Sequence, residues 1–218
     1  MANFGFPRLT VVTPHEPHWH EVKSAIGAEN LLQNARRTQC LTEAVVDCTL
    51  VIGTGTLTYR KPEQPVVSLP ELAPFVQQEI ARGGRVALVF GPEKRGLTRE
   101  DLSYCHLLVE IPTAPRQPSM NLGQAVAVCL YELAVRTGNS AGAEAEAEQL
   151  SSSVSSGELE RLAGVVEKTM TAANYSPAVM REANQHDLRL MLRRMALTER
   201  DARRVLGLFR RILWRLER

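Results

Sequence analysis

Three short runs constrain the fold most: Thr49-Leu-Val-Ile52, Arg85-Val-Ala-Leu-Val-Phe90 and Leu107-Leu-Val-Glu-Ile111. Each is apolar at successive rather than alternate positions, so both faces of each strand need cover. That is the pattern of a parallel sheet sandwiched between helices. Helical segments stand between and around these runs, at Leu41–Asp47, at Leu69–Ala81 (stopped by Gly83-Gly84) and at Leu122–Val135. A short helix is expected after Thr98-Arg-Glu-Asp101, where Thr98 and Asp101 have capping-box spacing. Arg8–Val12 reads as a strand ending at Thr13-Pro14, and Glu16–Ile26 as a helix with Gly27 near its end. Strands alternating with helices predict an α/β fold built on a parallel sheet.

The chain has 218 residues, 44% of them apolar, enough for one globular domain and a smaller appendage. The predicted division is a domain over 1–136, a flexible Gly/Ser/Ala/Glu-rich linker over 137–157, and a helical extension over 158–218. The extension reads as three helices, Glu158–Thr171, Ala178–Met195 and Thr198–Leu216. Cys40, Cys48, Cys105 and Cys129 are scattered and read as buried free thiols of a reducing compartment. His15, His18 and His20 form a His-x-x-His-x-His run, but nothing else completes a ligand set. A surface loop is the preferred reading, and no metal is expected. No run approaches the ~20 apolar residues of a membrane span, and the first residues lack a signal-peptide layout. A cytoplasmic protein is therefore expected. A net charge of +2 does not by itself point to nucleic acid. The crowding of arginine into the last helices says more.

Three loops follow the carboxyl ends of expected strands, where open α/β sheets bind ligands. Gly53-Thr-Gly-Thr56 is small enough for close backbone approach, although such a turn is often only a turn. Gly91-Pro-Glu-Lys-Arg-Gly-Leu97 reads equally as a solvated connection with a Glu93–Arg95 pair, or as a ligand cradle. In Pro118-Ser-Met-Asn-Leu-Gly-Gln124, Ser119 or Asn121 caps the following helix, or the helix N-terminus receives a ligand carboxylate.

Two phrases, Leu88-Val-Phe-Gly-Pro-Glu-Lys-Arg-Gly-Leu97 and Pro118-Ser-Met-Asn-Leu122, are joined by a strand ending in Ile111-Pro112. Together they resemble the second and third motifs of the SpoU/TrmH family of SPOUT RNA methyltransferases. Leu50–Thr56 and Asn3–Val12 resemble the segments that precede them. The resemblance implies a parallel α/β sheet with a C-terminal trefoil knot, an exception to the rule against knots. It also implies S-adenosyl-L-methionine as cofactor and a homodimer in which each site is completed by the partner chain. Carried over, the cofactor contacts are Thr54, Gly55 and Thr56, then Gly91 and Ile111, and finally Ser119, Met120 and Asn121. Glu93 and Asn121 match the family's polar motif residues and are the catalytic candidates.

The helices after the linker are similar to the extension of the TrmJ-type tRNA methyltransferases. These act on the ribose 2'-OH of the first anticodon-loop nucleotide, position 32. The similarity implies tRNA as partner, with Arg95, Arg189, Arg193, Arg194, Arg203 and Arg204 as RNA-binding candidates and Arg210 and Arg211 beside them. Ribosomal RNA is the alternative substrate. A non-catalytic knotted protein that binds RNA or dimerises is the alternative class. The family's first motif, carrying an Asn and an Arg, normally precedes the position of Met1. The expectation is thus of a longer natural chain, or of Arg60 or Arg95 standing in for the missing arginine.

Overall fold

The computed structural model describes residues 1–13, 27–55, 62–138, 153–175 and 177–218. The expected helix over Glu16–Ile26, the three N-terminal histidines, Thr56 and Arg60 lie outside the described residues.

After a 3-10 turn at Ala2–Phe4, β1 (Thr10–Val12) pairs in parallel with β2 (Arg36–Thr38), with α1 (Glu29–Gln33) between them in sequence. Helix α2 (Leu41–Ala44) leads into a second sheet of four parallel strands: β3 (Leu50–Thr54), β4 (Val66–Ser68), β5 (Val86–Val89) and β6 (Leu107–Glu110). Their order across the sheet is β4-β6-β3-β5. Strand β6 therefore lies between β3 and β4, although the chain has first crossed to β5 at the far edge. Helix α3 (Ala73–Ala81) precedes β5, α4 (Arg99–Ser103) precedes β6, and α5 (Leu122–Thr137) follows it.

Burial follows the two-face pattern of the strands. On one face Ile52, Leu107 and Val109 pack with Leu72 and Val76 near and in α3, and with Cys129 and Leu133 of α5. On the other, Val51 and Leu108 pack with Val45, Leu97, Leu102 and Cys105. Successive residues of β3 and β6 thus enter opposite cores, as the period of a strand requires. Strand β5 departs from the expectation: all four of its residues are only half-buried, because it is an edge strand. The capping box at Thr98 forms as expected. The Thr98 hydroxyl accepts from the Asp101 N–H at 3.0 Å, and the Thr98 N–H donates to the Asp101 carboxylate at 2.8 Å. The elements α1, β2 and β4 were not expected. They span five, three and three residues, too few to show a period, and β2 is mostly arginine and threonine.

Cys48, Cys105 and Cys129 are buried, whereas Cys40 is exposed at the N-cap of α2, beside the Thr42 hydroxyl. This corrects the expectation of four buried thiols: α2 is too short and too near the surface to cover its cap. Burial pushes the Cys48 and Cys129 thiols up to about 11 and that of Cys105 to about 12, so they stay protonated near neutrality.

Helices α6 (Ser156–Ala172), α7 (Arg181–Arg194) and α8 (Glu199–Leu216) build a separate apolar core around Leu159, Leu162, Val166, Leu188 and Leu192. The Ser155 and Thr198 hydroxyls cap α6 and α8 by accepting from Glu158 and Asp201 N–H groups. The extension docks on the α/β part through main-chain bonds. Ser156 N–H donates to the Cys48 carbonyl at 2.8 Å and Gly157 N–H to the Val46 carbonyl at 3.0 Å. A Cβ on Gly157 would press into Val46, so this approach requires glycine. Among the described residues no helix is long and apolar enough to cross a membrane.

His106 stands beneath this junction. Its Nδ1 accepts the Val51 N–H at 3.1 Å, and burial together with the nearby Arg193 charge pushes the imidazole down to about 3. An unfolded histidine titrates near its ordinary value of 6.5. As pH falls below that value the unfolded chain takes up a proton that the folded chain refuses, until pH nears the depressed value. Stability present above pH 6.5 is therefore lost progressively on acidification, by roughly 2 kcal/mol at pH 5. Urea midpoints measured at pH 7 and pH 5 should show this loss, and His106→Gln should remove most of it. An equal acid loss in the variant would assign the sensitivity to other groups.

Candidate functional site at the carboxyl edge of the sheet

Because β3, β5 and β6 are parallel neighbours, their carboxyl ends open on one side. Gly53 of β3 sits opposite Val89 of β5, and Thr54 opposite Val109 of β6. The residues that follow these positions are Gly55, Phe90-Gly91 and Ile111. Three segments distant in sequence thus meet at the switch point where ligands bind in open α/β sheets. The Thr54 hydroxyl donates to the Val89 carbonyl at 2.9 Å, tying the first loop to the second.

The loop from Gly91 to Leu97 is wound tightly. The Gly96 N–H donates to the Pro92 carbonyl at 2.7 Å, and Gly96 has a φ of 65°, in the left-handed region. The backbone of Gly96-Leu97 passes so close to Gly91 that a Cβ there would overlap the Gly96 carbonyl carbon and the Leu97 nitrogen. Leu97 itself is buried and anchors the loop in the second core. The loop exposes Glu93 and Arg95.

Asn121 joins the second loop to the third. Its Oδ1 accepts from the Gly123 and Gln124 N–H groups at 2.9 and 3.3 Å, capping α5. Its Nδ2 donates to the Glu93 Oε1 at 2.6 Å, across 28 residues of sequence. Asn121, rather than Ser119, is thus the cap, and the network fixes which way its amide points. Glu93 accepts from Asn121, where a pair with Arg95 was one of the sequence readings. Ser119 is exposed and Met120 half-buried just before the cap. The Thr113 hydroxyl donates to the Pro118 carbonyl at 3.4 Å, bracing the approach to that loop. Residues Thr54, Gly55, Gly91, Glu93, Ile111 and Asn121 come from four segments brought to one edge of the sheet.

The basic candidates divide by environment. Arg193 is turned inward with its side chain 2% exposed, and its Nη2 donates to Glu160 Oε1 at 3.0 Å. Arg189, 15% exposed, donates to the other oxygen of Glu160 at 3.1 Å. A guanidinium so committed has little left for a phosphate. Arg194 faces solvent near Glu63 at 3.7 Å, and Arg203 is 71% exposed beside Glu199. Arg200, Arg204, Arg210, Arg211 and Arg215 are also exposed on α8. The guanidinium of Arg211 stacks 4.2 Å from the Trp214 ring centroid. Sequence reasoning missed Tyr104, His106 and Glu160, because a tyrosine at a helix end and a glutamate on an amphipathic helix carry no signal of a shared contact.

An open parallel sheet with glycine-lined, polar loops at its carboxyl edge defines an α/β protein whose candidate ligand site lies at those strand ends. The chain belongs to the SpoU rRNA methylase family, whose profile matches residues 1–131. It is 40% identical over 134 residues to the tRNA (cytidine/uridine/adenosine-2'-O-)-methyltransferase TrmJ of Pseudomonas aeruginosa, a match covering 61% of this chain and 52% of that protein. It thus aligns with about half the length of this curated relative. A tRNA (cytidine/uridine-2'-O-)-methyltransferase TrmJ of Escherichia coli is 32% identical over 220 residues, covering 100% of this chain and 87% of its own length. The crystal structure of TrmJ from Z. mobilis superposes with a TM-score of 0.82 at 26% identity, covering 97% of this chain and 89% of that one.

Proposed function

We propose that the chain catalyses 2'-O-methylation of a tRNA ribose with S-adenosyl-L-methionine, at position 32 of the anticodon loop. The observation that carries the reading is the Asn121–Glu93 hydrogen bond, which closes the loops after β5 and β6 around one edge of the sheet. The cofactor fits the residues present: the space where a Cβ on Gly55 would stand is open among the described residues, and Thr54, Gly55 and Ile111 offer main-chain groups at adjacent strand ends, while Gly91 lets the loop after β5 fold tightly beside them. Ser119, Met120 and Asn121 complete the lining from the third loop. When bound, the cofactor supplies an activated methyl group on its sulfonium.

The protein's own work is positioning and proton handling. A ribose hydroxyl is a weak nucleophile near neutral pH and needs a hydrogen-bond acceptor or a stabilising field as it loses its proton. Glu93 holds Asn121 through Oε1 and presents its second oxygen at an exposed position to accept from that hydroxyl. Arg95, exposed on the same loop, supplies positive charge beside it. The order β4-β6-β3-β5 and the return of the chain to α5 are the elements from which the family's trefoil knot is built, and we assign the knot to this segment. The exposed apolar residues Val128, Tyr131 and Val135 of α5, with Phe4 packed edge-on to Tyr131, form the face proposed for the homodimer.

Arg203, Arg204, Arg210 and Arg211 are the proposed phosphate contacts. Replacing Arg203, Arg204 and Arg211 together with Ala should weaken tRNA binding across sequences. The slope of log affinity against log salt should become shallower by about one for each phosphate no longer neutralised. An unchanged slope would return this face to a solvated surface. The reaction is tested by transfer of labelled methyl from the cofactor to unmodified tRNA transcripts. Label in tRNA is the expected outcome. Label only in ribosomal RNA would change the substrate, and cofactor binding without transfer to either RNA would contradict the catalytic reading.

A further inference from the structure

The contact between the helical extension and the α/β part contains a buried charge cluster that the reaction does not use. Tyr104, 6% exposed, follows directly on α4, and so sits seven residues past the Leu97 end of the candidate site's central loop. The guanidinium of Arg189 lies 4.8 Å from its ring centroid and that of Arg193 5.6 Å away, both reaching across from α7. Behind them Glu160 of α6 takes one hydrogen bond from each arginine, at 3.1 and 3.0 Å. Arg193 is further held by the Ser156 hydroxyl and the Arg189 carbonyl, each at 3.4 Å. Its Nε is buried without a hydrogen-bond partner among the described residues. Two cations against one carboxylate leave an excess positive charge, and the face of an aromatic ring is the group placed to receive it.

Such a cluster is a poor source of stability, since desolvating the charges offsets most of what pairing returns. What it supplies is geometry, because the contacts of both arginines with Glu160 and the Tyr104 ring form together only when α6, α7 and Tyr104 meet in one arrangement. We propose that Tyr104, Glu160, Arg189 and Arg193 are positioning residues that clamp the extension in a fixed orientation, so that the α8 arginines and the Glu93–Asn121 site engage one RNA together. The inference rests on the reading of the chain as an RNA methyltransferase. Its consequence is a local concentration effect: RNA held by α8 meets the site as an intramolecular partner, and loosening the clamp dilutes that encounter.

The test uses the full chain with Tyr104→Leu, which keeps an apolar filler but removes the ring, and Tyr104→Phe, which keeps the ring. Glu160→Gln is a second disruption that keeps side-chain shape. Two readouts are taken. One is amide hydrogen exchange at Ser156 and Gly157, whose N–H groups donate to Cys48 and Val46 across the junction. The other is KM for an unmodified tRNA transcript, read beside kcat and cofactor affinity. With Tyr104→Leu and with Glu160→Gln, exchange should quicken and KM should rise about tenfold, with kcat and cofactor affinity unchanged. Tyr104→Phe should match the parent chain on both readouts. Unchanged exchange in the two disrupted variants, quickened exchange with an unmoved KM, or a Tyr104→Phe variant as impaired as Tyr104→Leu would each overturn the clamp. If the parent chain transfers no methyl to tRNA, the functional reading fails by itself. Direct tRNA affinity and amide exchange then decide on the clamp, with the same tenfold loss expected.

Discussion

Asn121→Asp is expected to lower kcat/KM by roughly a hundredfold or more while leaving the chain folded. The substitution nearly preserves shape and keeps an acceptor for the Gly123 and Gln124 N–H groups, so α5 remains capped. It replaces the amide donor 2.6 Å from Glu93 Oε1 with a second carboxylate. Two carboxylates cannot both stay ionised in contact, so either a proton is taken up or the loops part. Adding Glu93→Gln restores a donor, now on the opposite side of the pair. The double variant should therefore recover cofactor affinity, which calorimetry reads directly. If Glu93 serves only to hold Asn121, kcat recovers with it. If Glu93 also accepts the ribose proton, cofactor affinity returns while kcat stays low. Full activity in the single variant would remove the Asn121–Glu93 bond from the site.

Gly91→Ala is expected to have the other large effect. The added Cβ would meet backbone atoms of Gly96 and Leu97 rather than the tip of a mobile side chain, so the neighbours cannot turn aside. Relief requires the whole loop to shift and Leu97 to lose its place beside Val51 and Leu108 in the core. Overpacking of this kind costs about 1–3 kcal/mol, read as a lower urea midpoint. Cofactor binding should fall far more than stability, because the loop carrying Glu93 would be displaced. Gly55→Ala is the control: a Cβ there meets nothing among the described residues, so stability should hold. Equal cofactor affinity in the Gly91→Ala variant and the parent chain would exclude the loop from the binding surface.

The two-face apolar runs at β3 and β6 were legible because a buried parallel strand must be apolar on both sides, and Val51-Ile52 and Leu107-Leu108-Val109 divide between two cores accordingly. The capping box at Thr98 was legible because its whole signal is local, contained in the four residues from Thr98 to Asp101. The short strands β2 and β4 were not, because their pairing energy comes from β1 and β6 rather than from their own residues. At the site, glycine and asparagine could be placed on loops from sequence, but the meeting of Asn121 with Glu93 depends on the order of strands. Arginine was the hardest to read. Spacing on α7 looks alike for Arg193, committed inward to Glu160, and Arg194, open to solvent. Burial of a charge is decided by the partner helix, which periodicity does not encode.

Nucleoside analysis of tRNA after incubation with the chain and S-adenosyl-L-methionine tests the proposed chemistry most directly. The expected product is a 2'-O-methylated nucleotide at position 32 of the anticodon loop, absent when Asn121→Asp replaces the parent chain. A methyl group found on a base, or label incorporated equally by the Asn121→Asp chain, would contradict a ribose methyltransferase built on the Glu93–Asn121 edge of the sheet.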